Sequence, residues 1–148
     1  RHGFEKIYFL NGHGGNIATI GAAFAESYSN WSFDGEACPY ELLQRNWWDL
    51  PGVMDVCRSL FPVGEGSHAT ASEVSVTYYA YPEHVKDVVM SPKIAPNGRF
   101  TDADNYRKTF PDGRIGSDPA QATPEKGATI VQAARKAVIQ DVTAFFSR

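Results

Sequence analysis

The sequence predicts an α/β fold built on a mostly parallel sheet. Three observations carry this. A short apolar run rich in β-formers (Glu5 to Leu10, EKIYFL) leads directly into a glycine-rich loop and then a helical pattern. A second extended run follows at residues 40–48. The chain closes on one strongly signalled helix.

The elements are justified in order. Residues 1–4 read like the end of a helix, with Gly3 as the left-handed residue past its last turn. No helix precedes them and only two or three strands are visible, so we expect the N-terminal part of the domain to be missing. Residues 5–10 have the length and composition of a buried strand in a parallel sheet. Asn11 to Asn16 form a tight loop. Residues 17–28 place Ile17, Ile20, Phe24 and Tyr28 at helical spacing. After the polar connection ending at Pro39, residues 40–48 are the next strand, closed by the turn Asp49-Leu50-Pro51-Gly52. Residues 54–61 predict a short helix. Residues 68–81 predict a longer one that starts at His68, with Ala69, Val76, Tyr79 and Ala80 inward. Residues 87–90 read as a small strand, or as a cap on the preceding helix. Residues 91–123 carry Pro92, Pro96, Pro111 and Pro119 and read as a long irregular excursion. In the last helix Thr123 is the N-cap, Pro124 the first helical residue and Glu125 the dipole partner. Val131, Val138, Val142 and Phe145 make its apolar stripe.

The 148 residues, 43% of them hydrophobic, suffice for one domain (1–148) with a real core. A net charge of -3 with scattered basic residues gives no case for nucleic-acid or anionic-membrane binding. No apolar stretch has transmembrane length. Cys38 and Cys57 lack ligand spacing and are expected to be reduced, which suits a cytoplasmic setting.

The first candidate site is Asn11-Gly12-His13-Gly14-Gly15-Asn16. It lies where a parallel strand ends, the usual place for ligands in α/β proteins. The glycines let the backbone approach a ligand, and His13 stands at the rim. Two other readings stay open. One is a phosphate cradle of backbone N–H groups, although the loop lacks GxGxxG and GK[ST]. The other is a purely structural turn. The second candidate is Ser67 to Ser75 (SHATASEVS). His68 can serve as acid or base, and Glu73, five residues on, can reach a metal from the helix wall. The bland alternative is an exposed histidine beside a helix-surface glutamate.

Taken together, the motifs resemble the creatininase family. Asn11 to Asn16 match its NGHGGN signature residue for residue. The downstream stretch resembles its HAGxxETS-like motif through His68, Ala69, Glu73 and Ser75, departing at Thr70 (usually Gly) and Val74 (usually Thr). Residues 113–127 (GRIGSDPAQATPEKG) look like the family's segment before its last helix, and residues 1–4 like the stretch before its central strand.

The resemblance implies a three-layer αβα sandwich with a mostly parallel sheet, here incomplete at the N-terminus. It implies a homo-oligomer and a pair of divalent metals, zinc or manganese with iron as a further option. A metal-bound hydroxide would hydrolyse the C–N bond of a small cyclic or formylated amide. By the same analogy His13 and Glu73 are metal ligands and His68 is the proton donor to the leaving nitrogen. Gly14 offers its backbone N–H to substrate, and Trp47 and Trp48 form a pocket wall or lid. For those tryptophans the plainer reading is one core and one surface residue. Members that act on creatinine carry Glu two residues after the loop histidine. Gly15 stands there, which argues against creatinine as substrate. The family's remaining ligands, a Glu-x-His pair and an Asp, precede the central strand, and this chain has no Glu-x-His. A non-catalytic family member and a small-anion-binding module are therefore the alternatives.

Overall fold

The computed structural model describes residues 2–148, so the part of the predicted helix end that falls on Arg1 lies outside the described residues. The chain divides into two compact units. One comprises the segment up to Pro51 together with Lys136–Arg148, and the other is Gly52–Arg135.

The first unit is a βαβ unit backed by a helix end. Strand β1 (Lys6–Asn11) pairs in parallel with β2 (Glu41–Asn46), from Lys6 opposite Glu41 to Asn11 opposite Asn46. Helix α1 (Ile17–Phe33) is the crossover a parallel pair requires. It runs past residue 28 because Trp31 is engaged: its indole N–H donates to Tyr40 Oη at 3.0 Å. Gly35, at φ 71°, then turns the chain away. Strand β1 is less covered than a central strand would be, with Phe9 39% and Leu10 50% exposed. The reason is that β1 has one strand neighbour among the described residues rather than two.

The C-terminal part of α5 (Pro124–Ser147) packs on this pair. Asp141 accepts from Tyr8 Oη at 2.8 Å and from Arg45 Nε at 3.0 Å. The rings of Tyr8 and Phe145 lie 6.0 Å apart. Burial and the Asp141 carboxylate push the Tyr8 hydroxyl up to about 12.

The second unit holds most of the deeply buried apolar side chains, among them Val53, Cys57, Phe61, Ala71, Phe110, Ile115 and Ile130. Helix α2 (Val53–Leu60) and helix α3 (Ala71–Ala80) fall near their predicted places. Three expectations are corrected. Residues 87–90 form no strand. The excursion 91–123 contains a helix, α4 (Ala103–Thr109), whose N-cap Asp102 accepts from Asn105 N–H at 2.8 Å. Helix α3 begins after His68 because Thr70 caps it, accepting from Glu73 N–H at 3.1 Å.

The inward faces also shift. In α3 the buried residues are the small Ala71, Ser72 and Ser75. In α5 they include Ile130, Ala137 and Phe145, with the predicted valines on the flanks. The expected cap of α5 is present: Lys126 N–H donates to Thr123 Oγ1 at 3.2 Å. Backbone N–H bonding and the Thr123 hydroxyl hold the Glu125 carboxyl below its ordinary range. No helix among the described residues is long and apolar enough to cross a membrane.

Candidate active site

The first unit gathers His13, Gly14, Trp47 and Trp48. Asn11, 4% exposed, is the organiser. Its amide nitrogen donates to His13 O at 2.7 Å and to Asn46 Oδ1 at 2.8 Å. Its amide oxygen accepts from His13 N–H at 3.2 Å and Asn16 Nδ2 at 3.1 Å. All four bonding positions of a buried amide are thus filled. Asn11 thereby braces the loop on both sides of His13 and ties it to the end of β2.

His13 has an extended backbone (φ -148°, ψ 137°) and precedes a 3-10 turn, Gly14–Asn16. A β-carbon at Gly15 would lie 3.1 Å from His13 Cδ2, so any side chain there would press on the imidazole. Trp47 and Trp48 leave the same end of the parallel pair in a second 3-10 turn, Trp47–Asp49. They meet edge to face at 5.7 Å and 87°, and both are half-buried rather than one core and one surface.

The second unit gathers His68 and Glu73. His68 is exposed, three residues before α3, in an isolated antiparallel bridge with Ile115. Its carbonyl oxygen accepts from Ile115 N–H at 3.3 Å and from Ser117 Oγ at 2.8 Å. Ser67 N–H donates to Ile115 O at 2.9 Å. Gly66 makes this close approach possible, since a β-carbon there would sit 2.5 Å from Ile115 O. Ala69 then takes a left-handed conformation, φ 52°, between the bridge and the helix. Such a conformation costs an alanine roughly 1–2 kcal/mol, and the surrounding bonds hold it.

Glu73 is half-buried at the third position of α3. Its carboxylate accepts from Thr70 Oγ1 at 3.2 Å, while its own N–H donates back at 3.1 Å. This is a Thr-x-x-Glu variant of the capping box, a pattern legible in the sequence. Thr70, where the family pattern has Gly, is the residue that makes it.

Four further residues escaped the sequence reading. Glu65 accepts from Ser72 N–H at 3.1 Å and from Ser72 Oγ, tying the preceding loop to the start of α3. Burial pushes its carboxyl up, the Ser72 bonds oppose this, and the Glu73 charge adds to it. Arg114, 4% exposed, donates to Asp112 Oδ2 at 2.8 Å and to the carbonyls of Lys93, Ser117 and Pro92 at 3.1, 3.0 and 2.8 Å. Tyr106 reaches His68. Asp118 is 1% exposed, and neither carboxylate oxygen has a hydrogen-bond partner among the described residues.

Among the described residues, no three His, Cys, Asp or Glu side chains converge as a metal-holding group. His13 and Glu73 have donor chemistry suited to zinc, manganese or iron. Two donors fall short of the three that zinc sites take. The described residues do not by themselves make a metal-pair site.

The sequence profile of the creatininase family, described as creatinine amidohydrolase, matches residues 1–142. The chain belongs to the creatininase family. No curated protein matches it. Among solved structures, a creatininase mutant complexed with creatine is similar at TM-score 0.79 and 20% identity, over 100% of this chain and 60% of that one. A creatinine amidohydrolase (creatininase) crystal structure aligns at TM-score 0.78 and 20% identity, over 98% of this chain and 58% of that one. A tryptophan-to-alanine creatininase mutant gives TM-score 0.80 at 19% identity, over 100% and 59%. The chain therefore spans about three fifths of the length of these creatininases. The predicted α/β class is the creatininase-like fold.

Proposed function

We propose that this chain carries part of the active site of an amidohydrolase that cleaves the C–N bond of a small cyclic or formylated amide with water. The observation that carries the reading is the exposed imidazole of His68 on a backbone pinned by Ile115 and Ser117. A proton-transfer group needs this combination of access and fixed position.

In the reaction, water adds its oxygen to the carbonyl carbon and the C–N bond breaks. The electron pair of that bond stays on nitrogen. Protonated His68 supplies the proton nitrogen needs, and water's protons restore the imidazole and complete the products. In the first unit the Gly14 N–H is offered to the substrate, and the edge-to-face Trp47–Trp48 pair serves as a wall or lid. His13 in the first unit and Glu73 in the second each bring donor chemistry that suits a divalent zinc, manganese or iron ion. Such an ion would supply Lewis acidity and an activated water. Assembly into a homo-oligomer is part of the proposal, supported by the open strand edges and the exposed Phe9 and Leu10 of β1.

The test uses the full-length protein against a panel of small cyclic and N-formyl amides, with creatinine included. Turnover that falls at least about 100-fold in His68→Asn supports the reading. Metal found by elemental analysis and lost in His13→Ala supports the ligand assignment. An intact, metal-loaded protein that hydrolyses no amide would overturn it in favour of a non-catalytic family member.

A further inference from the structure

Tyr106 lies on α4, in the stretch the sequence reads as irregular. Its ring is wedged between Phe100, at 4.9 Å and 73°, and Phe110, at 5.7 Å and 48°. Phe110 is 1% exposed, so the wedge is anchored in the core. The chain then turns through Gly113, at φ 79°, which carries the Gly113 carbonyl back to the tyrosine. The Tyr106 hydroxyl lies 2.6 Å from Gly113 O and 3.4 Å from His68 Nδ1. The two rings meet at 5.8 Å and 62°.

The hydroxyl has one proton, and a carbonyl oxygen can only accept. At 2.6 Å that proton belongs to the Gly113 bond. Toward His68 the hydroxyl oxygen is then an acceptor, and Nδ1 must carry the hydrogen. In the neutral ring this leaves Nε2 bare.

We infer that Tyr106 is a positioning residue that holds His68 as the Nδ1–H tautomer and makes Nε2 the atom that carries the proton to the leaving nitrogen. The inference rests on the proposed role of His68 and deepens it. When the amide bond breaks, Nε2–H of the protonated ring gives up its proton and the nitrogen keeps the bond's electron pair. The ring returns to the neutral Nδ1–H form, the form Tyr106 stabilises. No tautomer exchange is then needed before Nε2 accepts the next proton, which comes from the attacking water. Residues 113–117 serve both halves of the device: Gly113 takes the tyrosine's proton, while Ile115 and Ser117 hold the histidine's backbone.

The test is nitrogen-15 NMR of the His68 ring in the full-length protein, at a pH where the ring is neutral. We expect Nδ1 in the protonated range and Nε2 in the unprotonated range. In Tyr106→Phe, which keeps the aromatic wedge, that preference is lost. The same variant lowers kcat about 10-fold with KM unchanged, a part of the 10²–10⁴-fold that a positioned general acid supplies. A wild-type ring protonated on Nε2 overturns the inference without any variant being needed. So does a Tyr106→Phe ring that keeps Nδ1–H. If His68→Asn retains full activity while the wild-type ring is Nδ1–H, the tautomer assignment is supported and the proposed hydrolytic role of His68 is the part that fails.

Discussion

Gly127 of α5 lies so close to Ser75 of α3 that a β-carbon on it would stand 2.0 Å from the Ser75 carbonyl oxygen and 2.8 Å from Tyr79 Cβ. Both obstacles belong to a neighbouring helix and the nearer one is backbone, which cannot swing aside. The small buried residues Ala71, Ser72 and Ser75 on α3 belong to the same close approach. Gly127→Ala is expected to destabilise the fold by about 3 kcal/mol or more, even though alanine is the better helix former. A urea melt of the two proteins measures this; an unchanged midpoint would refute the contact.

Arg114 is a buried cation whose guanidinium ties together three backbone carbonyls and one carboxylate. Replacing it by Met leaves the carbonyls without their donor, at a cost of about 1–3 kcal/mol for each that stays unsatisfied, while Asp112, nearly half exposed, adds little. Arg114→Lys is expected to recover little, because one ammonium cannot match the planar fan of guanidinium donors. Thermal melts of both variants test the difference.

Two carboxylates give stability opposite dependences on pH. The backbone N–H of Arg114 and then its side chain hold Asp112 below its ordinary value of 3.8. The unfolded chain therefore takes up that proton first, and the Asp112 contribution is lost as pH falls from about 3.8 through the lowered value. Glu65 is raised above 4.5, chiefly by burial. Here the folded chain takes up the proton first, so stability rises as pH falls from neutral through the raised value and levels off below 4.5. Glu65→Gln should abolish that acid-side gain while leaving the Asp112 loss in place. Denaturant melts across this range measure both; a variant whose pH profile overlays the wild type would rule out the Glu65 assignment.

The two cysteines should differ in reactivity. Cys57 is fully buried, and burial together with the Glu65 charge pushes its thiol up to about 11. Cys38 is half-buried, with its Sγ 3.3 Å from Tyr40 O. A thiol reagent at neutral pH is expected to label Cys38 alone until denaturant is added. Mass spectrometry of the labelled chain decides it.

Local signals were legible. The β1–loop–α1 order, the Thr123 cap and the NGHGGN loop all rest on residues adjacent in sequence, and each appears where its chemistry requires. Misreadings arose where two local signals competed. His68 reads as a helix start, but the Thr70–Glu73 capping box sets the boundary of α3 three residues later. Helix α4 is too short for a periodic pattern, and only its Asp102 cap announces it. The buried face of α3 follows the close contact at Gly127 rather than the positions of its larger apolar residues. Long-range relationships were not legible. Nothing near Tyr106 in sequence points to His68, and nothing near Arg114 points to Lys93.

The partners of Asp141 reach back to the start of the chain: Tyr8 and Asp141 are 133 residues apart. During synthesis the β1–α1–β2 segment therefore leaves the ribosome well before the helix that packs on it exists. At about 5–20 residues per second this is a wait of roughly 10 s. The continuous stretch 52–135 has no such delay. Through that interval Tyr8 and Arg45 stand without the Asp141 carboxylate and Tyr8 without the Phe145 ring, and a truncation ahead of Asp141 would leave that half of the protein permanently in its waiting state.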